Sequence, residues 1–253
     1  MRALRVLKEV DVIAAEDTRR SLKLLTHFGI SKPLISYWGG KEKARAEEVI
    51  KRLKAGQSVA LMSDAGTPAI SDPGAVLVRR AVEEGIEVVS VPGPSALVAA
   101  LSVSGLSGGE FAFVGFLPPR KAQREKRLRE LALEPRTMVF YESPHRVLES
   151  VPEMLEALGD REAVVARELT KAHEEVLRGS LSRVLEALGR SAPRGEYVVV
   201  LEGRKKEAAT VEEALQEVAA LVRKGMGRKE AARTVAGQYG LSSRELYERS
   251  LGK

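Results

Sequence analysis

A loop rich in glycine and proline, directly after a short apolar run, constrains the fold of this chain more than any other feature. The apolar run covers residues 58–62 (SVALM) and suits a buried strand. The loop covers residues 63–74 (SDAGTPAISDPG), where the density of breakers excludes both helix and strand. The backbone therefore has to turn there; we call this segment the first loop.

The residues that follow complete a strand-helix-strand unit. Helical spacing over 75–84 predicts a helix that ends at Gly85, since glycine tolerates the left-handed conformation of a helix end. The apolar residues 86–91 predict a second strand. Pro92-Gly93-Pro94-Ser95 closes that strand, and residues 91–95 are called the second loop. Ligands of parallel α/β sheets bind at the carboxyl ends of strands, where both loops are expected.

The composition limits the kinds of protein and of site. A chain of 253 residues with 44% hydrophobic and 30% charged residues is typical of a globular protein of one large or two small domains. No apolar run approaches the roughly 20 residues that span a bilayer, and no signal peptide is recognisable. Without cysteine there is no disulfide and no thiol catalysis, and the three histidines lack metal-ligand spacing. We therefore expect no metal site and no membrane association.

The net charge of +6 is concentrated in two segments. Residues 120–136 carry seven basic and three acidic side chains, and residues 222–253 carry eight and three. These segments thus hold +4 and +5, which leaves about −3 for the remainder. Such patches indicate a polyanionic partner such as nucleic acid, although solvated helix faces also carry such charge.

The rest of the chain repeats strand-helix alternation and predicts an α/β protein. Further strands are expected over 11–15, 34–37, 111–116, 137–141, 163–166, 174–178 and 197–201. Pro118-Pro119 is the expected boundary between two α/β subdomains, with a cofactor cleft between them. The predicted domains are 1–117, 118–203 and a small helical basic tail over 211–253, in which Ser243 is the expected helix cap; residues 202–210 are the expected linker.

Seven motifs occur in a fixed order along the chain. They are EDTR (16–19), SDAGTPAISDPG (63–74), VPGPSA (91–96), FVGFLPPR (113–120), FYESPHR (140–146), RELTKAHEE (167–175) and GEYVVVLEG (195–203). Together they resemble the tetrapyrrole-methylase superfamily of S-adenosylmethionine-dependent enzymes. Within it, the chain is similar to the branch that methylates the ribose 2′-hydroxyl of a cytidine in 16S rRNA.

The resemblance implies an S-adenosyl-L-methionine site and a homodimer. The implied cofactor contacts are Asp64, Gly66, Thr67, Pro68, Ile70, Ser95, Ala96, Tyr141, Glu142, Glu168, Leu169, Gly195 and Glu196. Members of the family begin with a strand and a proline-glycine loop upstream of the helix that starts here near Arg2. The printed sequence has neither, so we expect a central strand and part of the cofactor site to be missing from it.

Several side chains are candidates for the acceptor of the ribose proton. A ribose hydroxyl is a poor nucleophile at neutral pH, so a general base or hydrogen-bond acceptor is expected. The candidates are Glu16, Asp17, Asp64, Glu142 and His145. We favour Glu142, and take Asp17 and Asp64 as the next catalytic candidates. Asp17 is alternatively a helix cap, and Asp64 a carboxylate that braces the loop.

Four arginines at strand ends are expected to hold phosphates of the RNA, because guanidinium forks match phosphate oxygens. They are Arg19, Arg20, Arg146 and Arg167. Salt bridges to nearby carboxylates are the alternative role. The resulting hypothesis is a cytoplasmic methyltransferase that acts on 16S rRNA in the 30S subunit. A tetrapyrrole methyltransferase of the same superfamily and a non-catalytic RNA-binding module are the alternatives.

Overall fold

The computed structural model describes residues 1–190, 192–204, 211–239 and 241–251. The chain divides into two compact units. The first comprises Met1–Val103 and Leu169–His173, and the second comprises Ser104–Glu168 and Glu174–Lys253. Both combine helices and strands, so the predicted α/β class is confirmed.

The first unit is built on a small parallel sheet. Its strands are β1 (Val12–Ala15), β2 (Leu34–Ser36) and β3 (Val59–Met62), in the order β2-β1-β3. Its helices are α1 (Arg2–Glu9), α2 (Thr18–His27), α3 (Glu42–Lys54), α4 (Ala75–Glu83) and α5 (Ala96–Ser104), with one 3-10 turn at Gly39–Lys41. The central strand β1 is at most 1% exposed, because strands flank it on both sides and its side chains pack into two apolar clusters. Parallel pairing places the carboxyl ends of all three strands at one edge of the sheet.

The predicted strand over residues 86–91 does not form. These residues are not hydrogen-bonded into either described sheet, and the three-stranded sheet ends on β3. Val88 and Val89 are 48% and 58% exposed. An apolar run becomes a strand only where another strand supplies its hydrogen bonds, and the described residues supply none here.

The second unit contains a mixed five-stranded sheet in the order β4-β5-β8-β6-β7. The strands are β4 (Phe111–Phe116), β5 (Thr137–Glu142), β6 (Glu162–Arg167), β7 (Glu175–Ser180) and β8 (Tyr197–Leu201). Helices α6 (Lys121–Leu131), α7 (Val147–Leu158) and α8 (Leu181–Leu188) complete this part. Only β4 and β5 pair in parallel, and the other pairs are antiparallel. The core includes Leu128, Phe140, Met154, Leu181 and Leu201.

The division between the units differs from the boundary expected after residue 117. Strand β4 was expected in the N-terminal subdomain, yet Phe111 pairs with Thr137 and Phe113 with Val139 in the sheet of the second unit. The unit boundary therefore falls between Val103 and Ser104. The Pro118-Pro119 break connects two elements of one unit, because a turn between β4 and α6 also needs residues that end regular structure.

The tail, residues 211–251, is a three-helix bundle with its own small core. Its helices are α9 (Val211–Arg223), α10 (Arg228–Tyr239) and α11 (Ser243–Ser250). Val218, Val235 and Leu246 are buried in one apolar cluster. The expected cap Ser243 is wrong, because the Ser242 hydroxyl accepts the Glu245 N–H instead. Residues 205–210 of the expected linker lie outside the described residues.

Candidate cofactor and substrate site

The first and second loops are joined by a hydrogen bond. The Thr67 hydroxyl donates to the backbone carbonyl of Pro94 at 3.2 Å. In the second loop, Ser95 Oγ accepts the Val98 N–H at 3.4 Å and so caps the first turn of α5. The structure thus brings together two of the segments in which cofactor contacts were predicted: Gly66, Thr67, Pro68 and Ile70, and Ser95 and Ala96.

The first loop has a strained backbone. Ala69 and Ser71 have φ values of 69° and 62°, which side-chain-bearing residues rarely adopt. The Ile70 N–H donates to the Thr67 carbonyl and the Ala69 N–H to the Pro73 carbonyl, at 3.2 and 3.3 Å. Each such residue costs about 1–3 kcal/mol and persists only where its surroundings fix it. The loop is therefore held in one shape by its own hydrogen bonds and its anchors.

The main anchor is Glu42, which sequence reasoning missed. Its Oε1 accepts the backbone N–H groups of Gly74 and Val76 and the Tyr37 hydroxyl, at 2.8, 3.4 and 3.3 Å. One carboxylate thereby fixes the end of the first loop and the start of α4. Burial, with the Glu42 charge second, raises the pKa of Tyr37, so the phenol stays a donor. A Cβ at Gly74 would lie 2.8 Å from Leu61 Cδ2, so this position requires glycine.

Carboxylates at the ends of β1 and β3 bind each other's backbone. Glu16 Oε2 accepts the Asp64 N–H at 3.3 Å, and Asp64 Oδ1 accepts the Asp17 N–H at 3.2 Å. The other Asp64 oxygen lies 3.3 Å from Arg20 Nη1, and the Asp64 side chain is 19% exposed. Asp64 therefore braces the loop, as its alternative role required, and still lies at the open edge of the sheet.

Asp17 has the role of a helix cap. Its Oδ1 accepts the Arg19 N–H at 2.9 Å, and its two oxygens also form a fork with the Arg19 guanidinium at 3.2 and 3.0 Å. Hydrogen bonds from the Arg19 side chain lower the pKa of Asp17 to about 2. A carboxylate held so strongly in its charged form is a weak base, so this geometry disfavours Asp17 as the proton acceptor.

The favoured base, Glu142, is enclosed. Its side chain has no exposed surface; Oε1 accepts the Ser143 N–H at 2.8 Å, and Oε2 lies 3.4 Å from Arg146 Nη2. Each carboxylate oxygen of Glu142 thus has a partner within the second unit. The geometry therefore favours a structural role, and its part in catalysis stays a prediction.

Arg146 is also engaged within the protein. Its Nη2 donates to the Leu117 carbonyl at 2.8 Å, and only 23% of its side chain is exposed. Arg124, 4% exposed, donates to the Pro119 carbonyl at 3.1 Å and forms a fork with Glu153. Arg146, from the expected RNA-binding set, and Arg124, from the basic segment 120–136, therefore fix the turn after β4. The geometry favours this role for Arg146 over the predicted phosphate contact.

Glu168 and Gly195 lie in close contact. The Glu168 N–H donates to the Glu196 carbonyl, and Glu168 Oε1 accepts the Glu196 N–H, both at 3.0 Å. Gly195 has a φ of 78°, and a Cβ there would lie 2.2 Å from Glu168 Cδ, so a side chain would be strained and would displace the Glu168 side chain. The structure thus joins two predicted site segments, while Leu169 belongs to the first unit. Glu168 itself has a φ of 50°.

Tyr141 belongs to an aromatic cluster that sequence reasoning did not identify. Its ring makes edge contacts with Phe113 and Phe116, at centroid distances of 5.0 and 5.7 Å. Phe116 is 52% exposed. The register β4–β5, which pairs Phe116 with Tyr141, creates this cluster and is not readable from spacing along the chain.

The remaining predicted RNA contacts differ in exposure. Arg19 and Arg20 have side chains 88% and 72% exposed, each beside a carboxylate of the same strand edge. Arg167 is 21% exposed and pairs with Glu175 at 3.1 Å. The side chains of Arg19 and Arg20 are far more exposed than that of Arg167, so they fit the predicted phosphate contact better.

The described residues contain neither a candidate metal site nor a candidate membrane span. No group of three or more histidine or acidic side chains there is arranged to hold a metal ion. None of the helices described is long and apolar enough to cross a bilayer.

The fold and loops define a class. The family described as Tetrapyrrole (Corrin/Porphyrin) Methylases matches residues 1–185. The chain belongs to this family, as its motifs predicted.

Particular relatives narrow the comparison. The chain is 44% identical over 254 aligned residues to Ribosomal RNA small subunit methyltransferase I of Synechocystis sp., covering 99% of this chain and 91% of that protein. It is 49% identical over 205 residues to the protein of that name from Thermotoga maritima, covering 81% and 92%. Among solved structures, uroporphyrin-III C-methyl transferase from Thermus thermophilus, in complex with S-adenosylhomocysteine, aligns with a TM-score of 0.55 at 24% identity, covering 79% and 89%. That likeness concerns the fold.

Proposed function

We propose that this protein is an S-adenosylmethionine-dependent methyltransferase that methylates the ribose 2′-hydroxyl of a cytidine in 16S rRNA. The observation that carries the proposal is the 44% identity to a ribosomal RNA small subunit methyltransferase over 99% of this chain. The solved tetrapyrrole enzyme is only 24% identical. The RNA substrate is therefore favoured over a tetrapyrrole.

The first and second loops are the proposed binding site for the adenosylmethionine. Residues 64–67 are exposed, so backbone groups of the first loop are accessible to a ligand. Gly66, with a φ of 68°, has no atom within 4 Å of its Cβ position, which leaves space beside the backbone. A rigid loop with open space fits a ligand that is held mainly by backbone groups. The uroporphyrin-III C-methyl transferase from Thermus thermophilus was solved with S-adenosylhomocysteine, which supports a cofactor of this kind for the fold.

The chemistry asks for alignment and a proton acceptor. When bound, the cofactor supplies an electrophilic sulfonium methyl group, so the protein needs no covalent nucleophile. The methyl group would pass to the ribose oxygen, and residues of this chain would align that oxygen and accept its proton. Positioning provides most of the rate gain in such a step.

Asp64 is the proposed acceptor among the three predicted carboxylates. Its side chain is partly exposed at the carboxyl end of β3, directly before the first loop. Asp17 is committed to Arg19, and Glu142 is enclosed. Arg20, paired with Asp64 at 3.3 Å, would pass to an RNA phosphate when the substrate binds, which leaves Asp64 free for the hydroxyl.

The proposal includes the place of action, which is the 30S subunit in the cytoplasm, and a homodimeric state. The family resemblance supports both. Size-exclusion chromatography with light scattering tests the dimer. A measured mass of 27.5 kDa, that of one chain, would contradict it.

The test is transfer of a labelled methyl group to purified 30S subunits and to free 16S rRNA, with mapping of the modified nucleotide. We expect a single 2′-O-methylated cytidine. Methylation of a tetrapyrrole but not of RNA would replace the proposal by the tetrapyrrole alternative. Calorimetry with adenosylmethionine separates the enzymes from the non-catalytic module, since the module would bind RNA and no cofactor.

A further inference from the structure

Exposed cations flank the turn between α9 and α10. Arg223 ends α9, Lys224 follows it, and Lys229 and Arg233 lie four residues apart on α10. All four residues are exposed. Within the part of the chain that the structure describes, none of them has a carboxylate within 4.0 Å. We call this set the α9–α10 surface.

The charges of α11 are arranged differently. Arg244 pairs with Glu248 at 2.9 Å, and Arg249 pairs with Glu245 at 3.0 Å. Each pair spans one helical turn, so α11 offers nearly neutral ion pairs to the solvent. If α10 and α11 were a helix-turn-helix unit, its second helix, α11, would be expected to meet the nucleic acid. The charge distribution of this tail places the available cations elsewhere.

Helix stability does not explain the cations of α10. Lys229 lies in the first turn, where the helix dipole disfavours positive charge by about 0.3–1 kcal/mol. Arg223 and Lys224 at the end of α9 are favoured by the dipole of their own helix but repel each other as neighbours. Exposed cations without a carboxylate partner fit a polyanion that binds from outside.

We infer that the α9–α10 surface binds the phosphate backbone of the RNA substrate, whereas α11 makes no dominant contact. The inference rests on the proposed function and adds which surface of the tail meets the RNA. Lysine and arginine contacts to phosphate carry affinity without base specificity. The surface therefore contributes to substrate binding and not to the methyl-transfer step itself.

The experiment compares two sets of variants of the full chain. The test variant combines Arg223→Gln, Lys224→Gln, Lys229→Gln and Arg233→Gln. The matched control combines Arg244→Gln and Arg249→Gln, which removes two positive charges from α11. A second test variant combines Lys229→Gln and Arg233→Gln, which removes the same number of charges from α10. Binding to 30S subunits and to free 16S rRNA is measured between about 50 and 200 mM salt, the range over which phosphate contacts weaken. Circular dichroism and adenosylmethionine calorimetry are run alongside.

We expect the fourfold variant to bind RNA at least about tenfold more weakly and its logarithmic salt slope to fall by roughly three to four, about one for each lost phosphate contact. The α10 pair should lose about half of that slope, and the α11 pair should bind like the wild type. Adenosylmethionine binding and the methylation rate at saturating RNA should not change.

Wild-type RNA affinity in the fourfold variant, or a larger loss in the α11 pair, would overturn the inference. Because RNA binding is measured directly, the inference about the α9–α10 surface can be refuted even where methylation succeeds. Conversely, absence of methyl transfer by the wild type, with RNA binding intact, would count against the proposed function and leave this surface in place. If the fourfold variant does not fold, the two pairs decide by the same comparison.

Discussion

Glu42 Oε1 accepts the backbone N–H of Gly74 at 2.8 Å across 32 residues of sequence. The same oxygen accepts the Val76 N–H and the Tyr37 hydroxyl. A side chain at the start of α3 thereby fixes the far end of the first loop, whose Ala69 and Ser71 have positive φ. Since the loop is strained, its shape depends on such anchors.

Replacing Glu42 should therefore weaken cofactor binding. Glu42→Ala leaves backbone donors and a phenol without their acceptor, at a cost of about 1–3 kcal/mol. We expect roughly a tenfold rise in the dissociation constant of adenosylmethionine, measured by calorimetry, and a smaller rise for Glu42→Gln, which keeps an acceptor oxygen. Glu47→Gln on the same helix, where Glu47 pairs with Arg80 on the surface, is the control. Equal affinity for all three variants would contradict the anchor role.

Gly195→Ala should disrupt the contact with Glu168. The new Cβ would overlap the Glu168 side chain, and the φ of 78° is itself unfavourable for alanine. We expect a loss of about 1–3 kcal/mol of unfolding free energy in urea denaturation. Gly56→Ala is the matched control, because Gly56 has a φ of 83° and open space around its Cβ position. If both variants lose the same amount, the overlap with Glu168 has no energetic effect.

Stability should fall in acid through Asp17. Its pKa is about 2 in the folded protein against an ordinary 3.8, because of Arg19. A depressed carboxyl pKa adds stability above the ordinary value, and this contribution disappears as pH falls through the folded value. Asp17→Asn keeps the cap and removes the charge. Its urea midpoint should be lower than that of wild type above about pH 4 and should converge with it near pH 2. A constant difference down to pH 2 would argue against this ion pair.

Asp64→Asn and Glu142→Gln should have distinguishable effects. Asp64→Asn should retain cofactor binding and lose methyl transfer by at least about a hundredfold, as general-base variants do. If Glu142 is the proton acceptor, as the sequence predicts, Glu142→Gln should also retain cofactor binding and lose methyl transfer. Its enclosed carboxylate facing Arg146 now adds the expectation of a lower unfolding free energy, by about 1–3 kcal/mol. A stable Glu142→Gln that binds cofactor but does not methylate would return the catalytic role to Glu142, and full activity of Asp64→Asn would exclude Asp64.

Local patterns predicted the helices because a helix forms most of its backbone hydrogen bonds within itself. Gly85, with a φ of 67°, follows α4, and Asp17 caps α2, both as the sequence indicated. The strand over 86–91 failed for the opposite reason, since a strand needs hydrogen bonds from another strand. For the same reason, only the pairing of β4 with β5 revealed to which unit β4 belongs.

The site divides along a similar line. The motifs by themselves determined the family, the class of chemistry and the two loops, because proline ends regular structure and glycine allows the turns that follow. Tertiary structure decided what each charged side chain does. Glu42 became an anchor, Arg146 was turned to the Leu117 carbonyl, and a side chain at Gly195 would displace that of Glu168, 27 residues earlier in the sequence. A charged residue or a glycine acquires such a role only from the neighbours that the fold brings to it. Those neighbours are distant in the sequence, so local sequence patterns do not predict them.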